Sequence, residues 1–366
     1  MKVLILANAD IGLYKFRKEL LQVLCSENDV TAAIPYGEFA PSIEELGCKV
    51  VDFPVDRRGT DPLEDYLLYR RYRKLIAELK PDAVLTYTIK PNIYGGMASR
   101  RAGVPFIANV TGLGTAVENG GLLAALTKRL YRTGLRGASC VFFQNRENKR
   151  LFEEQGIVKG RSRLIPGSGV NLSVFTPLPY PSEETGIRFL FVGRVMRDKG
   201  INELLYAVRA LHREEPSVSL DIVGWCEEDE PEALREAQAE GAVRFHGKQA
   251  NVLPYYNDCS CAVLPSYHEG LANVMLEASA CARPVITTFV PGCRETFEEG
   301  ITGFGCEKAD EVGLLDAMRR FAALPREERA AMGIAARKKI EREFDRKAVI
   351  EAYLQELSSC VDRKKG

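Results

Sequence analysis

The sequence predicts an α/β protein of two Rossmann-like, doubly wound domains facing a cleft, and three observations carry that prediction. Short apolar runs of four to seven residues alternate with longer amphipathic stretches along the chain, the pattern of parallel strands buried on both faces by helices. A stretch rich in Pro, Gly, Ser and Thr (166–186) interrupts this pattern, which then restarts. The length of 366 residues suits two domains.

Taken in order, the expected strands of the first half are Lys2–Ala7, Val30–Ile34, Cys48–Phe53, Ala83–Tyr87, Pro105–Asn109 and Cys140–Gln144. Helical periodicity falls between them, for example over Pro62–Leu79, Asn92–Arg101 and Gly121–Arg136. The second half offers Ile187–Val192, Val218–Val223, Ala242–Phe245, Cys261–Leu264 and Pro284–Thr287. The expected organisation is an N-terminal domain over 1–170, a linker over 171–186, a second domain over 187–345 and a last helix, 346–366, that could return to the first domain. In such sheets ligands bind outside the carboxyl ends of the strands, so the informative residues should directly follow strands.

Composition removes several function classes. Lys plus Arg and Asp plus Glu are 50 each, so no molecule-wide basic field of the kind a nucleic-acid binder needs is present. The zero is uneven: 25 basic residues against 18 acidic up to Leu178 gives +7, and 25 against 32 thereafter gives −7. A positive first half points to an anionic partner, a membrane surface or a phosphorylated substrate. Ten cysteines without a CxxC pair read as reduced structural thiols. The opening apolar run ends at Asn8, short of a signal-peptide core, and no run reaches the ~20 residues of a membrane-spanning helix. The expectation is a cytoplasmic protein that lies on the inner membrane face. Asn8-Ala9-Asp10-Ile11-Gly12 carries one glycine where a dinucleotide fingerprint needs three, which argues against an oxidoreductase, although Gly12 lets a ligand approach the backbone.

Two segments carry chemistry. In Gly193-Arg194-Val195-Met196-Arg197-Asp198-Lys199-Gly200, an Arg fork and a Lys point charge precede a helix N-terminus, the parts of a diphosphate cradle. In His268-Glu269-Gly270-Leu271-Ala272-Asn273-Val274-Met275-Leu276-Glu277, a helix starting near Leu271 would leave Glu269 in the preceding loop and bury Glu277 two turns in. That reach suits a sugar nucleotide, with the free amides of residues 270–273 for phosphate.

Together, G-R-x4-K-G at Gly193–Gly200, E-x7-E at Glu269 and Glu277, and Ile165-Pro166-Gly167-Ser168-Gly169-Val170-Asn171 resemble the retaining glycosyltransferases of the GT-B fold, family four. The resemblance implies that Arg194 and Lys199 hold the donor diphosphate, that Glu277 binds the ribose and that Glu269 lies beside the donor sugar. It implies donor contacts from Gly193, Gly270, Leu271, Ala272 and Asn273, and from Gly12 across the cleft, with the base read near Gly247–Gln249 and His246 in a packing role. Ala272 replaces a proline that many relatives carry. Thr111 stands where many have a histidine, and this favours front-face transfer in which the leaving phosphate takes the acceptor proton.

Tyr14–Arg17, Thr88–Gly96 and Val110–Gly114 resemble the subset that extends undecaprenyl-diphosphate-linked saccharides, which implies Arg17 and Lys90 as acceptor-diphosphate residues. Gly121–Arg136 reads as an amphipathic helix, with Leu122, Leu126 and Leu130 opposite Lys128, Arg132 and Arg136, suited to an anionic bilayer. Arg57, Arg58, Arg70, Arg71, Arg73 and Lys74 add a second basic cluster. The run Glu227-Glu228-Asp229-Glu230 reads as a solvated turn and not a DxD motif, so no metal and no cofactor is expected. The expected activity moves an N-acetylhexosamine or hexose from a UDP-sugar donor to a lipid-diphosphate saccharide. The alternatives are a soluble acceptor, a sugar-nucleotide epimerase, or a non-catalytic binding protein.

Overall fold

The computed structural model describes residues 1–56, 59, 61–112, 121–227 and 229–365, with the backbone alone at 122–123 and 361–365. Arg57, Arg58, Leu113, Gly114, Glu228 and the side chain of Leu122 therefore lie outside the described residues. The chain forms two compact units, Met1–Ser168 with residues from Lys347 onward, and Gly169–Arg346.

In the first unit, seven parallel strands lie in the order β3-β2-β1-β4-β5-β6-β7: β1 Lys2–Leu6, β2 Asp29–Ile34, β3 Lys49–Asp52, β4 Ala83–Tyr87, β5 Phe106–Val110, β6 Cys140–Phe143 and β7 Ser162–Leu164. The helices are α1 Asp10–Glu27, α2 Ala40–Glu45, α3 Pro62–Leu79, α4 Gly96–Ala102, α5 Gly121–Gly134 and α6 Arg146–Glu154. One difference from the sequence reading lies at 91–95, where a π-helical turn, Pro91–Gly95, leads into α4. Wider turns of this kind recur at functional sites. Here the turn sets Asn92 into a buried chain of side chains. Thr86 Oγ1 donates to Asn92 Oδ1 at 2.7 Å, Asn92 Nδ2 to Asn109 O at 2.8 Å, and Asn109 Nδ2 to Tyr353 Oη at 2.6 Å.

The second unit holds six parallel strands in the order β10-β9-β8-β11-β12-β13: β8 Ile187–Val192, β9 Val218–Val223, β10 Val243–Phe245, β11 Cys261–Leu264, β12 Val285–Thr288 and β13 Gly303–Cys306. Its helices are α7 Ile201–Glu214, α8 Glu232–Ala239, α9 Leu253–Asp258, α10 Asn273–Ala280, α11 Glu311–Ala322 and α12 Arg326–Glu343. Strand order reverses where β1 meets β4 and where β8 meets β11, the switch points at which such sheets bind ligands. The segment expected as a linker is bound along the second unit. The fully buried Arg283 guanidinium donates to the carbonyls of Leu178 and Pro179, Arg326 to those of Tyr180 and Pro181, and Arg337 to that of Phe175.

The final helix, α13 Arg346–Lys365, buries Val349, Ala352, Tyr353, Leu357 and Cys360 in the core of the first unit with Val3, Ile5 and Phe142. Its Glu356, 2% exposed, accepts from Arg161 Nη2 and Arg163 Nη1 on and beside β7, both at 2.8 Å. Burial alone would raise the Glu356 carboxyl, but Arg163 and Arg161 outweigh it and hold it below the ordinary carboxylate range. A lowered folded value contributes stability that is present above the unfolded value near ~4.3 and is lost as pH falls through the folded one. Glu356→Gln is expected to cost about 2 kcal/mol in urea unfolding near neutral pH, toward the low end for a broken pair because both arginines keep contact with water. The deficit should shrink as the pH falls below 4; a pH-independent loss would assign the effect to packing.

Candidate active site

At the second switch point, three loops meet at the carboxyl ends of β8, β9 and β11. After β8, Gly193 N donates to Val223 O at 2.9 Å and Val195 N to Trp225 O at 2.8 Å, so the 193–195 loop runs along 223–225. A Cβ on Gly224 would come within 1.7 Å of the Gly193 carbonyl oxygen, which makes a side chain there incompatible with the contact. Gly200 has φ +70°, and a Cβ would lie 2.1 Å from Pro265 O at the end of β11. These contacts carry Arg194 and Lys199 to the face where Glu269 stands.

The Lys199 ammonium ion-pairs with Glu269 Oε1, which also accepts from Ser266 Oγ at 2.8 Å. Arg194 Nη1 bonds Glu227 Oε2 at 2.7 Å, with the Arg side chain a third exposed. This corrects the reading of 227–230 as a merely solvated turn: Glu227 holds a site cation, and Glu230 Oε1 accepts from Gln238 Nε2 at 2.8 Å. No residue spacing pairs positions 194 and 227; the adjacency of β8 and β9 does.

The helix after Glu269 begins at Asn273, two residues later than expected, so Glu277 is one turn in and half-buried. Tyr256 Oη donates to Glu277 Oε2 at 3.1 Å from a fully buried ring. Burial first, then the Glu277 charge, pushes that phenol well above its ordinary range. The first-turn amides are less available than the sequence implied, since Ala272 N donates to Gly292 O at 2.7 Å and Asn273 N to Leu271 O at 2.9 Å. Leu271 and Ala272 have buried side chains, with Leu271 packed on Val170, Leu276 and Phe344. Asn273 Oδ1, by contrast, is buried without a hydrogen-bond partner among the described residues and is an acceptor in reserve at the start of the helix. His246 Nε2 meets Asp221 Oδ1 at 2.6 Å and its ring packs edge-on against Tyr255.

In the first unit the residues singled out by sequence gather around β1, β4 and β5. Asp10 opens α1, accepting from Ile11 N at 2.6 Å and from Phe39 N at 2.7 Å. A Cβ on Gly12, in the first turn of α1, would meet nothing within 4 Å, so the unit's own packing does not require glycine there. Arg17 is 4% exposed, with its guanidinium 5.4 Å from the Tyr87 ring centre and 5.9 Å from that of Tyr353, and no carboxylate among the described residues pairs with it. Lys90 is differently placed: it bonds Asp65 Oδ1 at 2.8 Å, while Tyr94 Oη donates to Asp65 Oδ2 at 2.7 Å. Between them Thr88 adopts φ +72°, a strained state for a β-branched residue, with Oγ1 buried and unpartnered. Thr111 follows β5 directly and is half-buried.

The basic and apolar helix falls differently from its expected pattern. The face of α5 that packs inward carries Ala124, Thr127 and Tyr131, followed by buried Leu135 just past the helix end, while Leu126 is exposed and Leu130 and Lys128 are half-buried. Arg132 is spent on the carbonyls of Gln155 and Gly156, and Arg136 lies beyond the helix end. A cleaner amphipathic surface is on α3. One side buries Leu68, Tyr72, Leu75 and Ile76; the other exposes Leu63, Tyr66 and Leu67, followed at helical spacing by Arg70, Arg73 and Lys74. The signal was legible in Pro62–Leu79 as two apolar stripes on opposite faces. No helix among the described residues is long and apolar enough to cross a membrane, and no group of three or more His, Cys, Asp or Glu among them could hold a metal ion.

Comparison with known proteins agrees with this arrangement. Residues 22–167 match the model of a glycosyl transferase 4-like domain, and residues 186–323 that of glycosyl transferases group 1. The chain is 24% identical over 373 residues to the N,N'-diacetylbacillosaminyl-diphospho-undecaprenol alpha-1,3-N-acetylgalactosaminyltransferase of Campylobacter jejuni, covering 97% of this chain and 98% of that protein. It is 32% identical over 180 residues to the capsular polysaccharide biosynthesis glycosyltransferase CapM of Staphylococcus aureus, covering 48% of this chain and 47% of that one. Among solved structures, Anabaena HepE in complex with UDP and glucose superposes with a TM-score of 0.79 at 19% identity, covering 98% of this chain and 100% of that one. With a matching model in each half and the two parallel sheets of the GT-B fold, the chain belongs to the group 1, family-four-like glycosyltransferases and is a glycosyltransferase.

Proposed function

We propose that the protein is a retaining transferase that moves an N-acetylhexosamine or hexose from a UDP-sugar to an undecaprenyl-diphosphate-linked saccharide in bacterial glycan or glycoprotein biosynthesis. The observation that carries this reading is end-to-end similarity to a transferase whose acceptor is named as such a lipid, since a match spanning 97% of the chain includes the acceptor-facing half. Arg194 and Lys199 supply the charge that a departing UDP needs. Their carboxylate partners Glu227 and Glu269 keep both cations oriented, and the donor diphosphate competes for them. At Thr111 no group titrates near neutral pH. The acceptor oxygen bonds the anomeric carbon on the face the phosphate leaves, the bond to the phosphate breaks, and a phosphate oxygen takes the acceptor proton. Transfer needs no metal in this scheme, because the protein cations supply the charge. A soluble acceptor remains the second reading, favoured by partial similarity to D-inositol 3-phosphate glycosyltransferases.

A screen of UDP-sugars by nucleotide release, with a short-chain polyprenyl-diphosphate saccharide against free sugars, decides between the two; release that requires only a free sugar overturns the lipid reading. In the preferred donor and acceptor pair, Arg194→Ala and Lys199→Ala should each lower kcat by about 10²- to 10³-fold with the thermal midpoint held within a few degrees. Thr111→Ala should cost less than about tenfold, whereas a loss near 10⁴ would make it part of a general-base device.

The lipid acceptor calls for a peripheral protein on the inner membrane face, and α3 is the surface that fits an anionic bilayer: three exposed apolar side chains to enter the interface and three cations behind them for headgroups. Changing Leu63, Tyr66 and Leu67 together to Ser should abolish flotation with phosphatidylglycerol vesicles while leaving turnover of a detergent-soluble acceptor within about twofold. Unchanged flotation would remove α3 from the membrane face.

A further inference from the structure

At the amino ends of β8 and β11, on the opposite edge of the sheet from Arg194 and Lys199, lies a cavity of about 200 Å³, against a water's share of ~30 Å³. Its lining includes Arg329, Arg326, Tyr180, Ser182, Ser217 and Ser260. β8 spans six residues from the cavity to the donor loop, and at ~3.3 Å per residue the two are about 20 Å apart. The cavity is therefore distinct from the donor site.

Arg329 is 8% exposed, and its Nε is buried without a hydrogen-bond partner. Among the described residues it has no ion pair; its guanidinium lies 6.0 Å from the Phe321 ring centre and near enough to Tyr180 to act on that phenol electrostatically. Two acids stand at the rim, but both are exposed, and Glu215 accepts from Ser217 Oγ at 2.9 Å while Glu183 makes no pair with Arg329. A buried guanidinium N–H without an acceptor is unfavourable unless something completes it. Neighbouring Arg326 is fixed by the carbonyls of Pro181 at 2.9 Å and Tyr180 at 3.0 Å through Nε and Nη2. Ser260 Oγ accepts from Arg188 N at 3.3 Å, so its own proton is available to a ligand, as is that of Ser182.

We infer that this cavity is a second ligand site, for a small phosphate-class oxyanion held by Arg329 with Arg326 and the serine hydroxyls. Inorganic phosphate and a phosphate monoester share that chemistry. A bound anion would brace the 180–186 segment against α12 at the start of the strand that ends in the donor loop, which makes the site a place for metabolite control.

The test is isothermal titration of the full chain with inorganic phosphate and, separately, with a hexose 1-phosphate at fixed ionic strength. The expected result is saturable binding that persists in Lys199→Met and weakens at least about tenfold in Arg329→Gln, the loss expected for a charge-assisted contact. The tighter of the two ligands identifies the source. Ser182→Glu, at an exposed rim position, should abolish binding without disturbing the fold, and it decides the matter if Arg329→Gln does not fold. Absence of saturable binding, its loss in Lys199→Met, or wild-type affinity in Ser182→Glu overturns the proposal.

Discussion

The geometry of the candidate site depends on a steric constraint between backbones. The carbonyl of Gly193 occupies the position a Cβ of residue 224 would take, and the carbonyl of Pro265 does the same to residue 200. Parallel strands bring the loops after β8, β9 and β11 together at the switch point, but strand spacing near 4.8 Å leaves no room for side chains where those loops cross. Absence of a Cβ is what lets the Arg194 loop run along Val223–Trp225 and the Lys199 turn dock on the end of β11. Each cation then reaches a carboxylate delivered by a different loop, Arg194 from β9 and Lys199 from β11. The placement of charge follows from backbone packing, and an Arg or Lys moved by one residue would lose its partner.

Pairing each cation with a carboxylate also sets how strongly the site attracts an anion. A bare Arg and Lys on one loop would repel one another and recruit any phosphate. With Glu227 and Glu269 in place the site is near neutral, and a ligand must offer better hydrogen-bond geometry than a single carboxylate oxygen. A diphosphate does this by presenting the oxygens of two phosphorus centres, one for each cation. The Arg194–Glu227 pair, the more exposed of the two, contributes little to stability, so exchanging its carboxylate for a ligand oxygen costs the fold little.

Most of the fold was legible because strands buried on both faces are continuous apolar runs: Ala83–Tyr87, Ile187–Val192, Val218–Val223 and Cys261–Leu264 have the bounds their composition indicates. β7 and β13 escaped for physical reasons. β7 is a three-residue edge strand, Ser-Arg-Leu, with no inward face to fill. β13 reads Gly-Phe-Gly-Cys, and its glycines depress every strand signal although Gly303 is there because the Val285 carbonyl lies where its Cβ would be. At the site, Arg194, Lys199 and Glu269 were legible as a local pattern. Glu227 and Ser266 were not, because their roles arise from contacts between loops. On α5, counting leucines every fourth residue does not reveal the packed face, which is set by Ala124, Thr127 and Tyr131 and by Gly134 lying against Asn92 and Ile93.

Three buried guanidiniums separate structural from functional charge. Arg283, fully buried, donates to six carbonyl oxygens at 2.7–3.4 Å, so all its N–H capacity is absorbed by the chain it straps down. Arg17 has one weak bond, to Phe16 O at 3.4 Å, and two aromatic rings. Arg329 has a ring and a cavity. Desolvation costs the three about equally, yet only the first recovers it from within. A fold under selection for stability alone would replace the other two with apolar side chains at little loss, as is found when buried ion pairs are exchanged for hydrocarbon. Among the described residues, Arg17 near the carboxyl ends of the first sheet and Arg329 at the amino ends of the second keep hydrogen-bond capacity that the chain itself does not use, which is the property an anion site needs.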